Sequence, residues 1–504
     1  MTAPAGTETR TAGNDDGADL RTVAETYRAC LPPGQLGELR IDALDRTGVP
    51  VVAADWSGPG QPPFSSFGYG RTGQQATVGA LGELAESVLL TAHLAASPRR
   101  SASYAELREQ LGGDAVVDPV TLILPAGGDY RPDRPLQWLA ATRWRTGQQV
   151  WVPAEFLACR GADLPGDPPP GGWLITPVTN GLGAGDSAER ALSHALLELV
   201  QRDGNTVSLR ALEQGTLVDC ATLTDPDVGA VLSQLAAVGL TPQIRLASTE
   251  FAVVVHVTAR DTDPDAPGLA VTGCGEGAHP DREVAIGKAA LEYAASRVRK
   301  VFAHGDLSAV ADLDPDYLRR ELSRPLPEPE QRSLDAMSAW SRMSAPELTA
   351  LLEPTVLAEH RTVALADLPT VPGGSVDTPE ALLRLMLERM ADFDVLVLPV
   401  TGTAADGRTI HVVKAVVPGL EVETLSYLRI GERVLRQLLD RDSPLVGLGN
   451  PSGARRPARL TRAATARLGG PAWLDADAVQ ATLGPLYPLY REPTRHAVPR
   501  LTQA

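Results

Sequence analysis

The sequence predicts an α/β fold of mixed, mostly antiparallel sheets with helices packed around them. Three observations carry this. Short runs alternate apolar and polar residues between turn residues, the pattern of paired strands. Longer runs carry apolar residues at helical spacing. Three times, a glycine-bearing turn leads into a helix that holds a carboxylate among apolar neighbours.

In chain order, residues 1–18 are polar and rich in Gly, Thr and Asp, and are expected to be disordered. An N-terminal extension over 19–63 holds a helical pattern from Leu20, then "ELRIDALDRTGVPVVAADW", read as a hairpin. The main domain is expected over 64–465. It begins with "FSSFGYGRTG", a turn into a helix from about Gln74 to Leu94. "TLILPAGG" and "QVWVPAEFLAC" read as strands, the latter closing a hairpin that turns at Thr146 and Gly147. "RGADLPGDPPPGGWL" is a loop, because its prolines and glycines suit neither ladder nor helix. "NGLGAGDSAERALSHALLELVQRDG" is turn, cap and helix, with Asp186 and Glu189 as the capping pair. "FAVVVHVTAR" and "LAVTGCGEGA" read as strands, followed by the long helix "DREVAIGKAALEYAASRVRKVFAHG". Residues 305–370, charged and interrupted by proline, are expected to be a helical insertion. "DVLVLPVT" and "HVVKAVVPGLE" are strands. Residues 466–504 form a C-terminal segment with one short helix and a proline-containing tail. No repeat of fixed period is visible.

Bulk properties exclude some roles. The 504 residues are 43% hydrophobic, enough for a large core, and carry a formal charge of −16. That charge argues against binding a nucleic-acid backbone. Cys30, Cys159, Cys220 and Cys274 form no CxxC pair, so neither a zinc ribbon nor a disulfide framework is indicated. No apolar run approaches the ~18 residues of a membrane span. The expectation is a cytoplasmic protein with neither nucleic-acid nor membrane partners.

The chemistry is expected on the three helices. Glu198 lies in the oily stretch "HALLELVQRDG". Burying an ionised carboxylate is costly unless a cation or several donors meet it. Glu83 and Glu86 share one helix face at i and i+3. His194, Glu198 and Gln201 make a polar stripe beside Leu192, Leu196 and Leu199. Lys288 and Glu292 are at i and i+4. Charges on a single helix usually face solvent; repetition on three argues for one acidic site. Carboxylates gathered there need divalent cations, and hard oxygen ligands suit Mg²⁺, which keeps positions for phosphate oxygens. No GxxxxGK[ST] occurs, and "GCGEG" is weak evidence for phosphate.

Together, "GRTGQQATVGALGELAES", "NGLGAGDSAERALSHALLELVQRDG" and "GEGAHPDREVAIGKAALEYAASR" resemble the signature helices of the YcaO-domain family. "PLQWLAATRWRTGQQVWVPA" and "HVVKAVVPGLE" resemble its strands. The resemblance implies a YcaO-type fold around a buried Mg–ATP site, with ATP and Mg²⁺ as cofactors. It implies activation of a backbone amide in a ribosomally made precursor peptide, most simply cyclodehydration of Cys, Ser or Thr to azolines. Amidine or thioamide formation, or a non-catalytic scaffold, are the alternatives. A leader-binding partner protein and a homodimer are also implied. Residue by residue, Glu83, Glu86, Glu198 and Glu292 would hold the metal, while Ser66, Arg71, His194, Arg202, Lys288 and Arg297 would bind ATP. Asp203 also matches the second motif. Tyr69, Ser87, Gln201 and Ala295 depart from the family pattern, as do the spread prolines Pro488, Pro493 and Pro499.

Overall fold

The computed structural model describes residues 20–502 apart from 60, 62, 165, 207–211, 264, 328, 423 and 424. The expected disorder of residues 1–18 lies outside these. Three glutamate-bearing helices organise the fold: Gly73–Ala96, Ala188–Asn205 and Arg282–His304. A short strand precedes each: Phe64–Tyr69, Leu182–Gly185 and Gly275–His279. Side-chain caps start the helices. Thr72 accepts from Gln75 N, Ser187 from Arg190 N and Asp281 from Glu283 N. The cap of the second helix is therefore Ser187, whose backbone is extended, and not Asp186. Asp186 pairs with the Arg190 side chain at 2.8 Å instead.

Glycine lets each strand lie directly on its helix. A Cβ on Gly68 would fall 2.1 Å from Ala76 O, on Gly183 2.0 Å from Ala191 O, and on Gly277 2.2 Å from Ala285 O. Alanine at the contact leaves the helix backbone open to that approach. Counting from each of these glycines, the cap is four positions on, alanines eight and twelve, and a glutamate fifteen. The glutamates are Glu83, Glu198 and Glu292. The chain thus lacks a repeat of fixed period but repeats one unit of fixed internal spacing. The glycines of "GCGEG" at 275 and 277 serve this packing.

Strand pairing is antiparallel almost throughout. Val51–Ser57 pairs with Gln35–Arg40 on one side and Phe64–Tyr69 on the other, so the extension and the start of the main domain share one sheet. A second sheet orders Arg100–Ser103, Pro135–Arg143, Leu396–Thr403, Thr409–Val416 and Leu182–Gly185, with Gln149–Pro153 beside Pro135–Arg143. The expected turn is there, with Gly147 at φ 71°. A third sheet orders Gly275–His279, Val253–Asp261, Leu240–Ser248, Thr216–Asp219 and Arg361–Ala364; its last pair is parallel.

Some expected strands form otherwise. "TLILPAGG" is a 3-10 turn over Pro119–Leu122, followed by Ile123 at φ 61°. Arg429 donates to the carbonyls of both Leu122 and Ile123, taking the place of a ladder. Ala154–Leu157 is a helical turn, and Gly268–Thr272 is another 3-10 turn. The 305–370 stretch holds four short helices, then ends in Arg361–Ala364, a strand of the third sheet. Met337, Trp340 and Leu348 share a core with Leu435, Leu483 and Val498. The C-terminal segment contains two helices, Ala476–Leu483 and Ala497–Thr502, and the strand Ala472–Asp475, more than its sequence suggested. The helix Gly73–Ala96 is, against expectation, long and apolar enough by composition to cross a membrane, with mean hydropathy 1.2. It is a core helix here: Leu81, Leu84, Val88 and Leu90 are fully buried.

Candidate functional site

The repeated units bring their glutamates into one region. Glu83 accepts from Phe67 N at 3.0 Å and Glu198 from Gly181 N at 2.8 Å. Glu86 and Glu292 accept from the backbone of Ala184 and Glu276. A main-chain N–H of a neighbouring strand or turn thus orients each carboxylate. Glu83 and His194 are exposed to solvent although protein surrounds them, so they line an internal recess.

The recess is rich in like charge. Burial foremost, then Glu198 and Glu83, pushes the Glu86 carboxyl well above its ordinary range. Burial also raises Glu83, with Glu198 adding to it while Phe67 N–H and Arg299 oppose it. Glu292 rises to about 7, through burial first and Glu276 second, against Arg202 and Arg299. Tyr69 donates to Glu292 Oε2 at 3.3 Å. Burial, with Lys288 adding to it, lowers His194 to about 4, which leaves a neutral imidazole near neutral pH.

The four carboxylates do not close on a single point. Glu83, Glu86 and Glu198 act on one another, whereas Glu292 is grouped with Glu276. Among the described residues no three His, Cys, Asp or Glu side chains form a ready-made metal cage. This arrangement fits Mg²⁺, which takes one or two carboxylates and completes its shell with phosphates and water. Carboxylates that raise each other's proton affinity are what a divalent cation would relieve.

The basic residues divide. Lys288 has no hydrogen bond or ion pair among the described residues and stays half-buried in the recess. Arg202 donates to Glu276 and lies 3.7 Å from Glu198. Arg71 is engaged by Asp227. Arg297 is fully buried, at 2.9 Å from Asp45 and 3.0 Å from Asp261. It is nine positions after Lys288, and at 3.6 residues per turn that is about half a turn round the helix. Ser66 donates its hydroxyl to Ala80 O at 2.7 Å and is buried. In this structure Ser66, Arg71 and Arg297 are thus each engaged by groups of the fold itself, and Ser66 and Arg297 are buried. Asp203 is likewise structural, accepting from Glu421 N at 2.8 Å and pairing with Arg433.

Two residues of the region were missed in the sequence. Glu276 is buried and receives Gln201 at 3.2 Å, Asn205 at 3.0 Å and Arg202. Its signal was its place between Gly275 and Gly277. Arg299 is seven positions after Glu292, on the same face. Gln201, a departure from the family pattern, bonds Glu276 here. Ala295 packs in a core with Val298 and Phe302. Nothing in the structure explains Ser87.

A glutamate-walled recess on three helices, beside a lysine with no ion pair among the described residues, defines a class: an α/β protein fitted for magnesium and nucleotide. The chain belongs to the YcaO family, described as "YcaO cyclodehydratase, ATP-ad Mg2+-binding", which matches residues 67–421. ATP and Mg²⁺ are the family's cofactors. An uncharacterized protein of Methanothermobacter thermautotrophicus is 28% identical over 399 residues, 78% of this chain and 91% of that protein. An uncharacterized protein in the tfuA 3' region of Rhizobium leguminosarum bv. trifolii is 25% identical over 437 residues, 84% and 93% of the two chains. The fold is that of YcaO from Methanopyrus kandleri bound with AMPPCP and Mg²⁺: TM-score 0.51, 21% identity, 81% of this chain and 91% of that one. A heterocyclase in complex with substrate and cofactor is similar at TM-score 0.57 and 19% identity, over 83% of this chain and 54% of that one.

Proposed function

We propose that the protein is an ATP-dependent enzyme that modifies a ribosomally made peptide by activating a backbone amide, with cyclodehydration of Cys, Ser or Thr to azolines as its reaction. The observation that carries this is the acidic recess, short of cations, within a YcaO fold. Glu83, Glu86, Glu198 and Glu292 would hold Mg²⁺, each already aimed by a main-chain N–H. Lys288 and Arg202 would meet phosphate charge. His194, neutral beside Lys288, offers hydrogen bonds to the nucleotide without adding charge. When bound, ATP supplies the phosphoryl group that turns an amide oxygen into a leaving group. Such transfer needs positioning and electrostatics and no covalent nucleophile from the protein. A precursor peptide, a leader-binding partner protein, a homodimer and a cytoplasmic location complete the proposal.

The test is peptide-dependent release of ADP and phosphate, with intact mass of the peptide. Glu198→Gln and Glu292→Gln should each lower turnover by about 100-fold, the scale of losing a charged group in phosphoryl transfer. Retained turnover would remove both from the site. A mass loss of one water per site, with loss of the Cys thiol or the Ser or Thr hydroxyl at that site, identifies azolines. The tail favours a second reading, amidine or thioamide formation: Pro488, Pro493 and Pro499 are spread apart and buried in the fold. Replacement of oxygen by sulfur selects a thioamide, water loss that leaves every Cys, Ser and Thr side chain intact selects an amidine, and absence of Mg–ATP binding selects a scaffold.

A further inference from the structure

A triphosphate brings several negative charges into a recess already crowded with carboxylates, so cations beyond Mg²⁺ and Lys288 are required. Arg71 and Arg297 are locked in ion pairs elsewhere, and Arg202 is shared between Glu198 and Glu276. Arg299 is differently placed. It shares a helix face with Lys288 and Glu292, and its side chain is 36% exposed. It acts electrostatically on both Glu83 and Glu292. Its Nε is buried without a hydrogen-bond partner among the described residues. Its guanidinium lies 5.7 Å from the ring of Phe67, the residue whose N–H orients Glu83.

The C-terminal segment sets this arginine. Glu492 reaches Arg299 Nη2 at 3.5 Å with one oxygen and His304 Nε2 at 3.3 Å with the other. Arg495, three positions on, lies over the Phe67 ring at 4.4 Å and donates to Ser66 O at 3.1 Å. His496 N donates to Ala303 O at 2.8 Å, which ties the segment to the end of the third glutamate helix. The contact with Glu492 is long, and it aims the guanidinium without closing off its other donors.

We propose that Arg299 is a phosphate-binding residue of the nucleotide site and that Glu492, brought in by the C-terminal segment, is its positioning residue. This rests on the Mg–ATP reading above. The experiment is calorimetric titration of the full chain with Mg–AMPPNP, Mg–ADP and AMP, alongside thermal unfolding of each variant. Arg299→Gln is expected to weaken AMPPNP on the order of tenfold, the scale of one charge-assisted hydrogen bond, and to leave AMP unchanged. Arg299→Lys keeps the charge and should recover part of the loss. Glu492→Gln should weaken AMPPNP several-fold, again sparing AMP. Arg500→Gln alters a tail arginine that bonds the carbonyls of Glu321 and Arg324, and should change none of the three affinities. Undiminished AMPPNP binding in Arg299→Gln, or equal loss for all three nucleotides, overturns the role of Arg299. Unchanged AMPPNP binding in Glu492→Gln overturns its positioning role. If the wild-type chain binds no Mg-nucleotide, the reading of the recess falls, and this proposal with it.

Discussion

Glu421 shows what one buried carboxylate does to the pH response. It is 2% exposed and accepts from Gly431 N at 2.6 Å and Val434 N at 2.9 Å, at the start of the helix Glu432–Asp440. Burial, with Asp203 adding to it, raises its pKa from 4.5 to about 7. The folded chain therefore holds this proton more tightly than the unfolded chain. Stability is greatest below pH 4.5 for this group and falls as pH rises through 7. The contribution is on the order of 3 kcal/mol. Urea midpoints at pH 5 and pH 8 should show a smaller difference in Glu421→Gln than in wild type; equal differences would acquit this residue. At this scale the sequence revealed the glutamates more readily than the cations. Glu198 among leucines is conspicuous because an apolar stripe beside it fixes its face. Arg297 and Arg299 differ by two positions in a uniform helix, and only the count from Glu292 separates the buried one from the one in the recess.

The element scale belongs to glycine. The three strand–helix units are held by backbone contact at Gly68, Gly183 and Gly277, so an added methyl has nowhere to go. Gly277→Ala should destabilise the protein by about 3 kcal/mol, the upper range for overpacking, and displace Glu292. Gly161→Ala meets nothing within 4 Å and should be near neutral. Denaturation and Mg–AMPPNP titration of the two variants decide this. Similar stability for both would mean the units can slide apart. Glycine-bearing turns, apolar spacing and carboxylates showed the three helices in the sequence. The glycine spacing was also present there, but its meaning needs the distance between strand and helix. "TLILPAGG" was not legible as a turn, since the arginine that satisfies its carbonyls is 306 positions away.

Across the whole molecule, two large apolar clusters divide the work. One lies around the second sheet, with Trp138, Leu139 and Val412; the other joins the 305–370 stretch to the C-terminal segment. Trp340 Nε1 donates to Pro485 O at 3.1 Å, and Arg332 to Gln480 at 2.7 Å. Amides of 331–340 and 476–498 should therefore exchange hydrogen together, as one cooperative unit. Exchange measured by mass spectrometry checks this, and independent opening of the two segments would refute it. The sequence showed that 305–370 is helical. It could not show that the stretch shares a core with residues more than a hundred positions later, because helical periodicity reports a buried face and not what buries it.

The glutamates stand on helices from the first, second and third fifths of the chain or close to them, and the last residues close on the same place. A ligand that touches all of them is a keystone: it binds only the finished arch, and so its binding energy is added to the stability of segments that otherwise meet nowhere in sequence. A chain cut before Glu492 should therefore hold the nucleotide more weakly and draw less stability from it than the full chain.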